Sequence, residues 1–378
     1  MSLPPLSLYV HVPWCVQKCP YCDFNSHSQK GQIPEKEYIQ HLINDLKADK
    51  HLVQGRKIHS IFIGGGTPSL LSGNAYRKLL AEVDTLIGLS KDCEITLEAN
   101  PGTVETGRFK EYVAAGINRI SIGVQSMQND KLKSLGRIHG ANEAEYAVQQ
   151  AHQAGLNSFN LDLMHGLPGQ SLADALSDLE KIIALNPPHI SWYQLTIEPN
   201  TQFASRPPSL PKDDILWDIQ EQGQALLNAA GYQQYEISGY AKPGFQCQHN
   251  LNYWRFGDYL GIGCGAHGKV TNKATGEITR TEKVKHPRGY MDLTKPYLYK
   301  QWQVAEDDLA FEFFMNRFRL FEPCPKADLH ALTKLSMQSQ QVSLGKAISK
   351  GLLTDNNNNW QVSQKGHRFL NDLLELFV

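Results

Sequence analysis

Apolar and polar positions follow two rhythms along the first half of the chain. Apolar-rich runs at 7–12 (SLYVHV), 57–66 (KIHSIFIGGG), 93–102 (CEITLEANPG), 117–126 (INRISIGVQS), 157–169 (NSFNLDLMHGLPG) and 189–199 (HISWYQLTIEP) predict strands. Between them, 35–53, 72–87, 104–115, 143–155, 171–185 and 213–230 read as helices. The first shows helical spacing at Tyr38, Leu42, Ile43 and Leu46, and Gly116 and Gly155 close two others. The strand–helix unit recurs at roughly thirty residues. Right-handed crossovers between six such units give a parallel sheet with helices outside. The pattern suits a doubly wound sheet or a TIM-like barrel, and a full barrel would want about eight units.

From about residue 231 the rhythm breaks. The stretch 231–268 is rich in glycine and aromatics and reads as irregular or sheet-like, and 268–284 reads as a hairpin turning near ATGE. AFEFFMNRFRLF (310–321) is an amphipathic helix, and 351–377 reads as strand, tight turn, strand and helix, a winged-helix-like shape. The expected division is 1–230 for the strand–helix scaffold, 231–300 for an extension covering its site, and 301–378 for a small α+β, winged-helix-like unit.

Composition narrows the function. Lysine and arginine number 37 against 38 aspartates and glutamates, a net charge of -1, so no global field would draw nucleic acid. A packing or partner role suits the winged tail better than DNA binding. The N-terminal MSLPPLSLYVHVPWC has neither a basic segment nor a long apolar run, which argues against a signal peptide. No stretch reaches the roughly 18 apolar residues of a membrane span. A cytoplasmic protein is the expectation. Three of the seven cysteines fall within eight residues, a density that points to metal or redox chemistry rather than to disulfides.

Those three, Cys15, Cys19 and Cys22, have C-x3-C-x2-C spacing in a loop after the first strand. Three thiolates can hold three irons of a [4Fe-4S] cubane and leave the fourth iron without a protein ligand. S-adenosylmethionine can chelate such an iron through its amino and carboxylate groups. An electron from the cluster then cleaves its sulfonium C–S bond to a 5′-deoxyadenosyl radical. The alternative is zinc, with His27 completing C-x3-C-x2-C-x4-H. Polar or glycine-rich residues recur at the C-terminal end of every predicted strand. They are Gly64-Gly65-Gly66-Thr67-Pro68, Glu98 with Asn100, Gln125 with Arg137 beyond it, Asp162 with His165, and Gln194, Thr196 and Glu198. In parallel α/β folds ligands bind along that edge, and the cysteine loop lies on it.

The cysteine loop with GGGTP after the second strand resembles the radical S-adenosylmethionine superfamily, whose fold is a partial (β/α)6 TIM-like barrel. The match is closer to the oxygen-independent coproporphyrinogen III oxidase-like family and, within it, to heme chaperones. YVHVPWC, CPYCDFNSH, FIGGGTPSLL, EANPGT, RISIGVQS, LGRIH, NLDLMHGLP, YQLTIEPNT, HNLNYW and GIGCGAHG carry it through essentially the whole chain. The resemblance implies cluster ligation by Cys15, Cys19 and Cys22. It implies S-adenosylmethionine contacts from Tyr9, Tyr21, Gly65, Gly66, Thr67, Glu98, Gln125, Arg137 and Asp162, with Thr196 and His267 at further lining positions whose identity differs from the oxidases.

Two features separate oxidase from chaperone. The oxidases carry a fourth cysteine two residues after the third, where this chain has Phe24, and a longer N-terminal arm. Chaperone-like relatives carry H-N-x-x-Y-W, here His249-Asn250-Leu251-Asn252-Tyr253-Trp254. An imidazole among aromatics suits an axial heme ligand. It equally suits a hydrogen-bonded histidine in an aromatic mini-core, and the resemblance favours heme at His249, with Cys247 as the lesser candidate. Three functions follow: a heme chaperone serving apo-hemoproteins such as respiratory-chain components, a coproporphyrinogen III oxidase, and a zinc-stabilised binding protein. Transient contact with a membrane surface and a homodimer are left open.

Overall fold

The computed structural model describes residues 3–28, 31–105 and 107–378. Strands β1 (Leu6–Val12), β2 (Ile58–Gly65), β3 (Leu89–Ala99), β4 (Arg119–Gln125), β5 (Ser158–His165) and β6 (His189–Gln194) lie side by side in chain order, all parallel. Helices α1 (Glu35–Asp49), α2 (Gly73–Leu86), α3 (Arg108–Ala115), α4 (Ala141–Gln153), α5 (Leu172–Ala184) and α6 (Asp213–Ala229) follow them one by one. Local chemistry sets the helix starts. At α5 the Ser171 hydroxyl accepts from the Asp174 N–H at 3.1 Å while the Asp174 carboxylate accepts from the Ser171 N–H at 2.9 Å, a reciprocal cap of the first turn. The predicted helix 104–115 begins only at Arg108, and its residue 106 lies outside the described residues.

The two faces of the sheet differ in kind. Leu8, Val10, Ile61, Ile63, Leu97, Ile120, Ile122 and Leu161 pack under the helices with Tyr38, Leu42, Tyr76, Leu79, Phe109 and Leu179 in one continuous core. The alternate residues are mostly polar and bond to one another across the concave face. Ser7 and Ser60 hydroxyls are 2.7 Å apart, Asn160 Nδ2 donates to Ser121 Oγ at 2.7 Å, and Ser191 Oγ donates to Asn160 Oδ1 at 3.0 Å. This is the partial barrel expected from the resemblance, a mixed α/β fold around a large parallel sheet.

The sheet continues beyond the six strands. The two-residue β7 (Gln233–Gln234) and β8 (Gly239–Ala241) extend the β6 side antiparallel. On the other side β9 (Asp258–Ile262) joins β1 in parallel, and β10 (His267–Thr271), β11 (Ile278–Lys283) and β12 (Leu298–Gln303) follow antiparallel. Among the described residues the sheet has twelve strands, with β12 and β7 at its edges. Residues 231–300 are thus more ordered than their composition suggests, and they include a helix the pattern missed, α7 (Gln248–Trp254). At seven residues it is too short to show a helical apolar period.

A buried ionic knot ties this extension to the scaffold. Lys283 Nζ bonds Asp45 Oδ1 at 2.6 Å and Asp49 Oδ2 at 2.7 Å, and the Tyr290 hydroxyl and the Gly263 N–H donate to Asp45 Oδ2 at 2.7 and 3.0 Å. Beyond the extension, α8 (Glu306–Arg317), α9 (Lys326–Thr333) and α10 (Gln341–Ser349) pack around Phe313, Phe314, Phe318, Leu329, Trp360 and Phe377. A small antiparallel sheet, β13 (Cys324–Pro325), β14 (Leu353–Asn356) and β15 (Asn359–Val362), flanks them in the order β13-β15-β14, and α11 (Gln364–Arg368) follows. Phe256 and Ile278 of the extension belong to this second core.

Lys283→Met would leave two carboxylates buried without their cation. It is expected to cost about 3–5 kcal/mol of folding stability, measured by urea unfolding of the full chain; a loss below about 1 kcal/mol would show that the knot is dispensable.

Candidate functional site

The loop after β1 folds back onto the turn after β2. The Gly66 N–H donates to the Val12 carbonyl at 2.7 Å, the Thr67 N–H to Trp14 at 2.8 Å and the His27 N–H to Pro13 at 2.7 Å. Gly65 has φ +115, and a Cβ on Gly66 would stand 2.5 Å from the Trp14 carbonyl oxygen. Only glycine lets the two turns come this close. A turn closed by the Cys22 N–H on the Cys19 carbonyl at 3.1 Å brings those two thiols round to the cavity that Cys15 also lines.

That cavity, about 320 Å³, is where the predicted residues meet. Cys15, Cys19, Cys22, Tyr21, Gly65, Gly66, Thr67, Glu98, Gln125, Arg137 and Asp162 all line it. Arg137 donates through Nη2 to the Gly123 carbonyl at 2.8 Å and holds Nη1 3.7 Å from Cys19 Sγ. Gly65 N–H donates to Glu98 Oε2 at 3.1 Å. Ser121 and Asn160 donate to the two oxygens of Asp162 at 3.1 and 2.7 Å. Among the described residues no three His, Cys, Asp or Glu side chains converge on a point that would hold one ion. Three thiols that share a cavity without converging suit a multinuclear group, in which each thiolate takes a different iron.

Comparison with known proteins places this arrangement. The radical SAM superfamily profile matches residues 9–182, and that of the HemN C-terminal domain matches 304–369. The heme chaperone HemW of Escherichia coli is 62% identical over 378 residues, spanning 100% of this chain and 99% of the relative. That of Haemophilus influenzae is 62% identical over 381 residues, again 100% and 99%. The chain belongs to the HemW family of heme chaperones. The Mycobacterium tuberculosis HemW is 35% identical over 337 residues, covering 86% of this chain and 85% of that one. Among solved structures the E. coli coproporphyrinogen III oxidase HemN, described as a radical SAM enzyme, superposes with a TM-score of 0.83 at 22% identity, over 99% of this chain and 90% of that one. That likeness speaks for the fold.

Not every residue singled out from the sequence falls in the cavity of this HemW-family chain. Tyr9 and His267 line a neighbouring chamber of about 660 Å³ at the barrel mouth, together with His11, His27, Tyr253, Tyr259 and Lys285; Lys18, Phe24, Gly65 and Glu98 line both spaces and form the border between them. His27, the fourth ligand of the zinc alternative, faces the chamber and not the thiol cavity. Thr196 is exposed and lines neither. His249 sits at the first turn of α7, beneath the chamber floor and 1% exposed. Its Nδ1 is 3.1 Å from Ser60 Oγ, its ring packs on Phe62 and stands edge-on to Tyr253, and Nε2 has no partner. Cys247 is buried beside Glu94. Among the described residues no helix is long and apolar enough to cross a membrane.

Tyr193 was missed. Its hydroxyl donates to Gln125 Oε1 at 2.9 Å and its ring lines the cavity. β6 ends at Gln194, so its inward residues are His189, Ser191 and Tyr193; Gln194 has the opposite parity and faces away from the cavity. The alternation was the signal, and extending the strand to 199 obscured it.

Burial pushes the carboxyl groups of the cavity toward their protonated forms. Glu98 is pushed up to about 8, first by burial and then by the Asp162 charge, with the Gly65 N–H pulling the other way. Burial also raises Asp162, against its Asn160 and Ser121 hydrogen bonds. Two carboxylates shut off from bulk water favour a cationic guest. Folded Glu98 holds its proton to about pH 8, whereas the unfolded chain releases it near 4.5. Stability is therefore expected to fall as pH rises through that window. Glu98→Gln should flatten this slope and outlast the parent near pH 8 in urea unfolding; an unchanged slope would assign the titration elsewhere.

Proposed function

We propose that this chain holds a [4Fe-4S] cluster on Cys15, Cys19 and Cys22, binds S-adenosylmethionine in the cavity beside it, and carries heme to apo-hemoproteins such as respiratory-chain components. One observation carries the reading: three thiols, a glycine turn, an arginine and two buried carboxyl groups share one cavity. When bound, the cluster supplies one electron to the sulfonium. The chain's own residues do the rest. Glu98 and Asp162 would face the cationic sulfonium and ammonium, Arg137 would take the carboxylate, the side-chain-free glycine turn would let it approach closely, and Tyr21 would offer a ring for the adenine. Arg137 Nε is buried without a partner, a donor still to be satisfied. Residues 1–230 serve as the scaffold, 231–300 as its cover and 301–378 as the partner-facing unit.

Heme suits the adjoining chamber. Tyr9, Tyr253 and Tyr259 give it flat walls, and Lys18 and Lys285 are the lysines on its lining, Lys18 bonded to the Phe24 carbonyl at 3.1 Å and Lys285 paired with Glu282 at 2.7 Å, partners that a propionate would have to replace. His249 braces Tyr253 from below with ring centroids 4.8 Å apart. Its Nε2, buried without a partner, is the nitrogen that would hold iron. His267 offers a second reading, because it already opens on the chamber with its side chain 56% exposed and only a distant Glu282 carboxylate at 3.9 Å.

Heme titration of the two alanine variants separates these readings. His249→Ala is expected to shift the Soret band and weaken binding while His267→Ala does neither, and the reverse pattern would move the ligand to His267. Phe24, 59% exposed where the oxidases carry cysteine, argues against propionate decarboxylation. Reconstituted protein given S-adenosylmethionine, reductant and coproporphyrinogen III without oxygen is expected to form no protoporphyrinogen yet to bind heme stoichiometrically. Product formed at a catalytic rate would make it an oxidase.

A further inference from the structure

A second cavity of about 560 Å³ lies between the barrel and the C-terminal unit. Its back wall is His165, at the end of β5, and Trp192 of β6; α6 contributes Trp217, Gln220 and Gln224; Phe321, Gln361 and His367 close it from the C-terminal side. Nothing in the cluster chemistry or the heme chamber uses these residues.

The cavity has three properties together. First, it is flat-walled. His367 stacks on Phe321 with centroids 3.9 Å apart and planes 9° apart, and Arg368 lies over Trp217 at 4.9 Å. Second, it carries no free charge: Arg368, the cation among the lining residues, is paired with Glu221 at 2.8 Å, and burial holds His165 and His367 neutral, each down to about 4. Third, it is rich in unused hydrogen-bonding capacity. His165 Nδ1, Trp192 Nε1 and both ring nitrogens of His367 are buried without partners, and His165 and Trp192 are only 1% and 2% exposed. Glutamine amides add donors and acceptors from both sides, and two of them are held in place. Gln361 Nε2 donates to the Phe321 carbonyl at 3.1 Å, and Gln224 to Gln234 at 3.3 Å.

These properties discriminate between ligand classes. A tetrapyrrole would bring carboxylates to a cavity with no cation to spare, and it has no use for neutral amides. An apolar chain would leave the indole and imidazole nitrogens as unsatisfied as before. A neutral heteroaromatic ring stacks on the walls and offers an edge of alternating donors and acceptors, which glutamine amides and neutral imidazoles read. We infer that this cavity binds a nucleobase-like heteroaromatic ring, as carried by a purine nucleoside or a flavin. Tyr193 lines both this cavity and the thiol cavity, so a single aromatic residue separates the two.

The test uses cluster-loaded protein with saturating S-adenosylmethionine, so that the thiol cavity is filled. Adenosine and FMN are titrated separately by calorimetry. One of them is expected to bind with a stoichiometry of one, and which one binds names the source of the ring. Trp217→Ala, at a residue 44% exposed and so safe for folding, and Gln220→Leu should each weaken binding on the order of tenfold, with the cluster spectrum and the S-adenosylmethionine affinity unchanged. Absence of binding by both probes at millimolar concentration, binding indifferent to both variants, or displacement of the bound probe by heme would each overturn the assignment.

Discussion

A parallel sheet curved into a partial barrel has to fill its own concave face, and here that face is lined with hydroxyls, amides, imidazoles and carboxylates. Buried polar groups must find partners, and this chain finds them across strands, through Ser7 with Ser60, Ser121 with Asn160 and Asp162, and Asn160 with His189 and Ser191. Toward the N-terminal ends of the strands α7 plugs the space with His249 against Ser60 and Phe62, and Thr96 Oγ1, Arg119 Nε and His249 Nε2 stay buried without partners. Toward the C-terminal ends the lining opens into a cavity. There Glu98 and Asp162 face each other across a cavity, Arg137 keeps one nitrogen idle, and three thiols stand at the rim. The candidate site is the place where polar lining and open space coincide.

The same constraint explains the extension. A six-stranded partial barrel leaves β1 with a free edge, which β9 occupies in parallel before the chain turns into antiparallel strands. These strands wall the chamber with Tyr259 and His267. They are fixed by charge as well as by area, because Lys283 crosses to two aspartates of α1. Tyr38 of α1 meanwhile donates to the His11 carbonyl at 2.7 Å and accepts from the Cys264 N–H at 3.0 Å. Asn25 of the cysteine loop reaches the Cys264 and Lys285 carbonyls at 3.0 and 2.9 Å. Scaffold, cysteine loop and cover are therefore one hydrogen-bonded body around the mouth of the barrel.

Three separate spaces result: a thiol cavity, an aromatic chamber beside it with Glu98 and Gly65 on the border, and a neutral, amide-rich cavity behind Tyr193. Their chemistries do not overlap. The first is lined by thiols and buried carboxyl groups, the second by tyrosines and histidines, and the third by neutral imidazoles and glutamine amides.

The strand–helix period, the C-x3-C-x2-C loop, the glycine turn and most of the cavity residues were legible in the sequence, because each is local. A parallel strand repeats its apolar face every second residue, a cysteine loop is one contiguous segment, and ligands in such folds gather at one predictable edge. The placements that failed to show were non-local. Parity at the end of β6 decided that Tyr193 and not Thr196 faces the cavity, and that depends on where β6 stops. The burial of His249 depends on α7 being pressed into the barrel by partners over a hundred residues away, Ser60 and Glu94. The cavity behind Tyr193 joins α6 to a unit that begins some eighty residues later. By itself the sequence determined which chemistry the chain carries, since ligand type and spacing are written in single segments. Only the tertiary structure decided which groups share a space and which are sealed away, since that follows from packing between segments that no local period records.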